Sequence, residues 1–258
     1  MKQVYLSPHL DDAVLSCGGA IHRHAQAGAE VLAITVFAAD FEGSGLSPFA
    51  HLLHQEWGGL PQPFALRRAE DSAALAFVGA KGKNLNYLDA IYRLAPDGEW
   101  LYPNVEAVFG ELHPADSLNL DGARGLAEQV SRLLPLPEEV QIHAPLSVGH
   151  HVDHQIVRSA ARLLLKAGYK VGFYEDYPYA ETPGALEAAL SLAGTGEWHM
   201  ETIALTPENM TAKVSALGYH RSQLATLFGE AMAMPNRVWS FAATRSAQAC
   251  LAERIWWP

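Results

Sequence analysis

Apolar and polar positions along this chain fall into blocks that predict strands and helices in turn. Residues 3–7 form a short apolar run stopped by Pro8, which reads as a strand. Asp11 and Asp12 then open a helical stretch over 13–26, placing acids where a helix N-terminus favours negative charge. Gly28 supplies a C-cap, and 31–37 is a continuous apolar run, as in a strand buried on both faces. Strand, helix and strand in under about forty residues describe a βαβ unit and hence a parallel sheet.

The alternation continues with a helix over 67–77, a strand at 85–88, a helix over 121–134, a strand at 140–144, a helix over 153–166 and a strand at 171–174. Thr206-Pro207-Glu208 starts a further helix to about 219, with a capping hydroxyl, proline at the first position and an acid behind it. Two stretches lack periodicity. Residues 40–63 are rich in Gly and Pro with room for one short helix, and 91–120 are mostly irregular. Both exceed the usual connection in a compact domain, so they are expected to be lids or pocket walls. No internal repeat or linker divides the chain, and 1–258 reads as a single α/β domain.

Composition narrows the function. The 258 residues are 49% apolar and 18% charged, with a net charge of −10, which argues against nucleic-acid binding because phosphates need a basic face. Cys17 and Cys250 are the two cysteines, too few for a disulfide framework and too far apart for a thiolate zinc site. The first residues have too short an apolar run for a signal peptide, and no segment is long and apolar enough for a membrane span. A soluble cytoplasmic protein without a membrane partner is expected, with homo-oligomerisation left open.

Two clusters carry chemistry. Pro8-His9-Leu10-Asp11-Asp12 ends the first strand, and His150-His151-Val152-Asp153-His154 follows the strand at 140–144 and opens the next helix. Ligands of open α/β sheets sit beyond the carboxyl ends of strands, where both clusters lie. Asp11 or Asp12 could instead merely cap the helix behind it. Three His and an Asp within five residues, paired with a second cluster, point to a metal. A catalytic zinc takes three protein ligands and keeps an open position, which His9, Asp12 and His154 satisfy, leaving Asp11, His151 and Asp153 for proton transfer and support. Such a metal lowers the pKa of bound water to roughly 7 and polarises an acyl oxygen. Iron(II) also accepts two His and one carboxylate, so another divalent metal stays open.

The run from Pro8 to Gly19, with its Asp11-Asp12 pair and Gly18-Gly19, resembles the first signature of the LmbE-like, or PIG-L, N-deacetylases, written AHPDDE with a following Gly pair. His151-Val152-Asp153-His154 is similar to that family's second signature, H-x-D-H. Arg67 with Glu70, and His220 with Ser222 and Gln223, match a weaker R-x-x-E and a late H-x-S-Q element. Pro8 and Leu10 replace the family's Ala and Pro, and Ala13 its Glu, but no implied ligand or base is lost. The resemblance implies a Rossmann-like fold, one zinc, and hydrolysis of an N-acetyl group on a glucosamine-type conjugate. By that analogy His9, Asp12 and His154 hold the metal and Asp11 is the general base. His151 would then be the acid or electrostatic partner, with Asp153 orienting it.

Arg67 and Asp89 are the expected substrate contacts. A guanidinium can bind sugar hydroxyls or an anionic aglycone, and a carboxylate accepts sugar hydroxyls. Arg67 could equally pair with Glu70 or Asp71 on its own helix, and Asp89 could be a turn residue. His22 with His24, and His51 with His54, read as surface helix histidines. Tyr174 to Tyr177 could line the pocket or be a solvated acidic loop. Met232, Met234, Trp256 and Trp257 read as packing or subunit contacts, and Gly18-Gly19 as close helix packing. The competing functions are a non-catalytic metal-binding protein of the same fold, or a metal-dependent hydrolase of another amide or an ester. An intact Asp11, unneeded for coordination, speaks for catalysis.

Overall fold

The computed structural model describes residues 1–60, 62–193, 197–247 and 250–258. Position 61, inside the loop predicted at 40–63, lies outside the described residues. The strands are β1 (Lys2–Ser7), β2 (Val31–Thr35), β3 (Lys81–Asn84), β4 (Val140–Pro145), β5 (Lys170–Tyr174), β6 (His199–Leu205) and β7 (Leu251–Trp257). The α-helices are α1 (Asp12–Gln26), α2 (Pro48–Glu56), α3 (Pro63–Phe77), α4 (Val105–Val108), α5 (Leu120–Ser131), α6 (Val152–Lys166), α7 (Ala185–Leu192), α8 (Pro207–Leu217), α9 (Arg221–Phe228) and α10 (Met234–Thr244).

Among the described residues seven strands join one sheet in the order β3-β2-β1-β4-β5-β7-β6. The first five are parallel, and β7 runs antiparallel to both β5 and β6. The parallel strands β1, β2, β4 and β5 are buried on both faces, as the alternation inside β1 requires. Val4 and Leu6 point into a core shared with α5 and α6, while Tyr5 points into another shared with α1, α3 and α8. A third apolar cluster, including Leu10, Trp57, Phe64, Tyr92 and Tyr102, ties the long connections together over the carboxyl end of β1. The predicted α/β, Rossmann-like, mostly parallel sheet flanked by helices is what forms.

Three local expectations change. The third strand lies at 81–84 instead of 85–88: its four residues, Lys-Gly-Lys-Asn, are all exposed on the sheet edge and carry no apolar signal. Leu85, the first buried residue, follows that strand. The helix expected at 121–134 ends at Ser131. The antiparallel edge, with α7, α9 and α10, was not anticipated, because β6 is mostly exposed and has no continuous apolar run. Trp256 and Trp257 lie in β7 and pack against the two cores, and Met234 is buried whereas Met232 is 86% exposed. A Cβ on Gly19 would come within 2.6 Å of Leu205 Cδ1, so close packing does explain that glycine.

Candidate metal centre and active site

Strand order places the two signatures together. β2 lies on one side of β1 and β4 on the other, so the chain direction across the sheet reverses between β1 and β4. The loops leaving those two strands therefore diverge to opposite faces and open a crevice between them. The β1–α1 turn brings His9, Asp11 and Asp12 to one wall, and the β4–α6 turn brings His151, Asp153 and His154 to the other.

Each turn is held by its own residues. Ser7 Oγ donates to the His9 carbonyl at 2.7 Å and accepts from the Ala13 amide at 3.0 Å. Asp11 makes no side-chain cap bond to α1, and Asp12 Oδ2 accepts from the His9 amide at 2.8 Å, so neither serves as the helix cap. In the second turn Ser147, Gly149 and His150 all have positive φ, at 66°, 85° and 65°. At Gly149 a Cβ would meet the Tyr179 ring at 2.7 Å, so only glycine fits there. His150 points away from the crevice and pairs with Glu111 at 3.1 Å.

Within the crevice Asp12 Oδ2 lies 3.2 Å from His9 Nδ1 and 3.3 Å from His154 Nε2. The opposite ring nitrogens face carboxylates: His9 Nε2 donates to Asp153 Oδ2 at 2.9 Å, and His154 Nδ1 to Asp176 Oδ1 at 2.6 Å. His154 Nε2 is buried and, though 3.3 Å from Asp12 Oδ2, forms no hydrogen bond, which costs free energy unless another group engages it. His9, Asp12 and His154 thus fit a divalent metal: an imidazole–carboxylate–imidazole set, with each imidazole oriented from behind by a carboxylate. A second convergent group, His9, His151 and Asp153, is the poorer fit. Both Asp153 oxygens are engaged by His9, the Ala90 amide and Arg93, and His151 Nδ1 accepts the Asp153 amide at 3.2 Å.

The electrostatics follow from burial and these pairings. Burial alone would lower His9, but Asp12 and Asp153 outweigh it and hold the imidazole well above its ordinary range. Burial would likewise lower His154, yet Asp12 and Asp176 push it up to about 9, so a metal bound at Nε2 would displace a proton from it. Asp12 is held well below the usual carboxylate range by His154 and His9, against the opposing effect of burial. Asp11 is raised by burial, an effect that Arg67 partly offsets. Burial and the neighbouring His9 keep His151 neutral.

Arg67 reaches Asp11 Oδ2 at 3.4 Å and packs against Trp57 and Phe64, 4.8 and 5.1 Å from their ring centres. It does not pair with Glu70, which instead accepts from Ser222 N and Oγ, nor with Asp71, which accepts from Thr35. Asp89 is a turn residue that also faces the crevice. Oδ1 accepts from the Ile91 amide at 3.2 Å, and Oδ2 sits 3.6 Å from His9 Nε2. Asp153 departs from expectation: its carboxylate orients His9 rather than His151, because Arg93 and the Ala90 amide turn it that way.

Three supporting residues were missed or undervalued. Asp176, in the stretch that could have been a solvated loop, is 1% exposed and bonds both His154 and the Val148 amide. Arg93 bridges Asp153 and Asp116, and Ser7 fixes the first turn. Only Asp176 had a legible signal, an acid two residues past a buried strand. Of the histidines expected on helix surfaces, His24 bonds Tyr5, whereas His54 is buried and bonds Tyr92.

Above these residues lies a cleft of about 350 Å³. His9, Asp11, Asp12, Arg67, Asp89 and His151 all line it, with residues of α2, α4 and α9. The long connections predicted as pocket walls do form them. Among the described residues no helix is long and apolar enough to cross a membrane.

Comparison with known proteins places this geometry. Residues 4–165 match the family described as GlcNAc-PI de-N-acetylase, PIG-L. The 2'-N-acetylparomamine deacetylase of Niallia circulans is 26% identical over 241 residues, covering 88% of this chain and 82% of that protein. Its namesake from Streptomyces fradiae is 30% identical over 197 residues, covering 74% of this chain and 62% of the relative. The zinc-inhibited form of teicoplanin deacetylase Orf2 superposes with a TM-score of 0.82 at 29% identity, covering 99% of this chain and 97% of that one.

Proposed function

Because the chain belongs to the GlcNAc-PI de-N-acetylase (PIG-L) family and is a hydrolytic N-deacetylase, we propose that it removes the N-acetyl, or a longer N-acyl, group of an N-acetylglucosamine-type conjugate, using a divalent metal, zinc in the first instance, held by His9, Asp12 and His154. The observation that carries this reading is the buried, unpartnered His154 Nε2 converging with Asp12 and His9, beside an Asp11 that the donor set does not need. When bound, the metal supplies an activated water and polarises the amide carbonyl.

The chain's own residues supply the rest. Asp11 accepts the proton of the attacking water and passes it to the leaving nitrogen, since an amine anion leaves poorly. Its burial raises its basicity towards what this role needs, and Arg67 keeps its carboxylate oriented. His151 accepts the Asp153 amide at Nδ1, so the neutral ring carries its proton on Nε2 and can donate to the developing oxyanion. This favours an electrostatic role for His151 over that of a proton donor. Asp153 and Asp176 fix the ring orientations of His9 and His154. Asp89 accepts sugar hydroxyls at the cleft wall.

Elemental analysis of the purified protein, with an acetate-release screen over N-acetylated hexosamine glycosides and simple esters, tests the reading. About one divalent ion per chain is expected, lost in His154→Ala and Asp12→Ala because two ligands hold zinc poorly. Normal metal content in both variants would remove the ligand assignment. Ester cleavage without acetate release from any glycoside would replace the deacetylase with an esterase.

A further inference from the structure

The cleft divides into two chemically different parts. Its deep residues are polar and buried: His9, Asp11, Asp12 and Asp89 are each at most 8% exposed. Its outer lining is mainly apolar, with Leu52 and Leu53 from α2, Val105 and Val108 from α4, Phe109, and Leu227 from α9, beside Glu56, Gln223 and Thr226. Leu52 and Val105 remain 51% and 50% exposed. Single exposed apolar side chains are ordinary, but these share one concave site with four other apolar residues.

Charge narrows the occupant. Among the described residues the one Lys or Arg lining the cleft is Arg67. It is 4% exposed, packed against Trp57 and Phe64, and directed at Asp11. Asp11, Asp12, Asp89 and Glu56 line the same space, so apart from the proposed metal in the deep part the lining offers an anionic group no free cation. A sugar's hydroxyls would find acceptors in the deep part, whereas the outer part has mainly apolar surface to give.

We propose that the substrate carries an uncharged apolar substituent, seated against α2, α4 and α9, and that the outer lining selects against a phosphate in that place. The proposal rests on the deacetylase reading and deepens it. The substituent is either an aglycone on the sugar or an N-acyl chain longer than acetyl, and both offer the same hydrocarbon surface.

The metal-loaded full chain is assayed on the methyl, butyl and octyl glycosides of N-acetylglucosamine, on methyl N-octanoylglucosaminide, on N-acetylglucosamine 1-phosphate and on an N-acetylated aminocyclitol glycoside. The octyl glycoside should exceed the methyl glycoside in kcat/KM at least tenfold if the aglycone is the apolar part. If the acyl chain is, the octanoyl amide should do so instead. Burial of two or three methylenes is enough for about tenfold. The 1-phosphate should be slower than the methyl glycoside. In the double variant L52S/V105S the apolar preference, taken as a ratio on one preparation so that folding losses cancel, should fall several-fold. Octyl and octanoyl substrates within about threefold of the methyl glycoside would overturn the proposal, as would preference for the phosphate or for the cationic aminocyclitol. If no amide is hydrolysed, the deacetylase reading fails, and calorimetry with methyl and octyl glucoside below its micelle-forming concentration still decides the apolar wall. Tenfold tighter octyl binding supports it, and equal affinities overturn it.

Discussion

Asp176→Asn isolates what one buried carboxylate does for the centre without touching a ligand. Asp176 accepts from two donors at once, His154 Nδ1 at 2.6 Å and the Val148 amide at 2.9 Å. Asparagine has one acceptor oxygen on its amide, so one donor is stranded in either rotamer. With the amide NH2 facing the imidazole, Nδ1 must become an acceptor, and the ring proton moves to Nε2, the atom placed to hold the metal. With the oxygen facing the imidazole, the NH2 opposes the Val148 amide, and the bond to His154 survives without its charge. A charge-assisted bond is about twice as strong as a neutral one, so about 1–2 kcal/mol of ligand orientation is lost. That is roughly 5- to 30-fold in metal affinity, the scale expected for a carboxylate behind a ligating histidine. Competitive zinc titration against a chromophoric chelator at pH 7 reads it, with thermal unfolding of the metal-free variant as a check on folding. Affinity within twofold of the parent, while Asp12→Ala loses the metal, would refute the reasoning that Asp176 sets the working tautomer of His154.

Two further outcomes are expected. Asp11→Asn keeps size and outline but cannot take a proton, so turnover should fall on the order of 10²–10⁴-fold with metal content and substrate affinity retained. Loss of zinc in that variant would make Asp11 a ligand, and normal turnover would place the base elsewhere. His143, fully buried in β4 and stacked on Tyr5, is lowered to about 3, first by burial and then by His24 and Lys170. Its folded pKa lies below the unfolded value, so the unfolded chain binds the proton first. Its contribution to stability is whole above about pH 6.5 and declines towards pH 3, by up to about 1.4 kcal/mol per pH unit. His143→Gln should flatten the urea-unfolding stability profile over that window by this amount, and parallel profiles would show that the imidazole is not held neutral.

Much of this protein is legible in one dimension because its centre is a parallel sheet. Strands buried on both faces read as apolar runs, and the metal residues sit in the following turns or the first turn of the helices they open, so β1, β2, β4, β5 and both signatures stand out in the chain itself. The edges do not. β3 has no apolar residue to announce it, and β6 shows water most of its side chains, so only pairing with their neighbours makes them strands. Residue types and spacing nominate His9, Asp12 and His154, but their convergence depends on β4 lying beside β1, a neighbour far away in sequence. The same is true of partners. Asp176 behind His154, Arg93 turning Asp153 towards His9, and Arg67 choosing Asp11 over its helix neighbours are all decided by packing. A side chain's charge and shape belong to the sequence. Which group it meets once water is excluded is a property of the assembled interior, where an unpaired polar atom costs too much to leave alone.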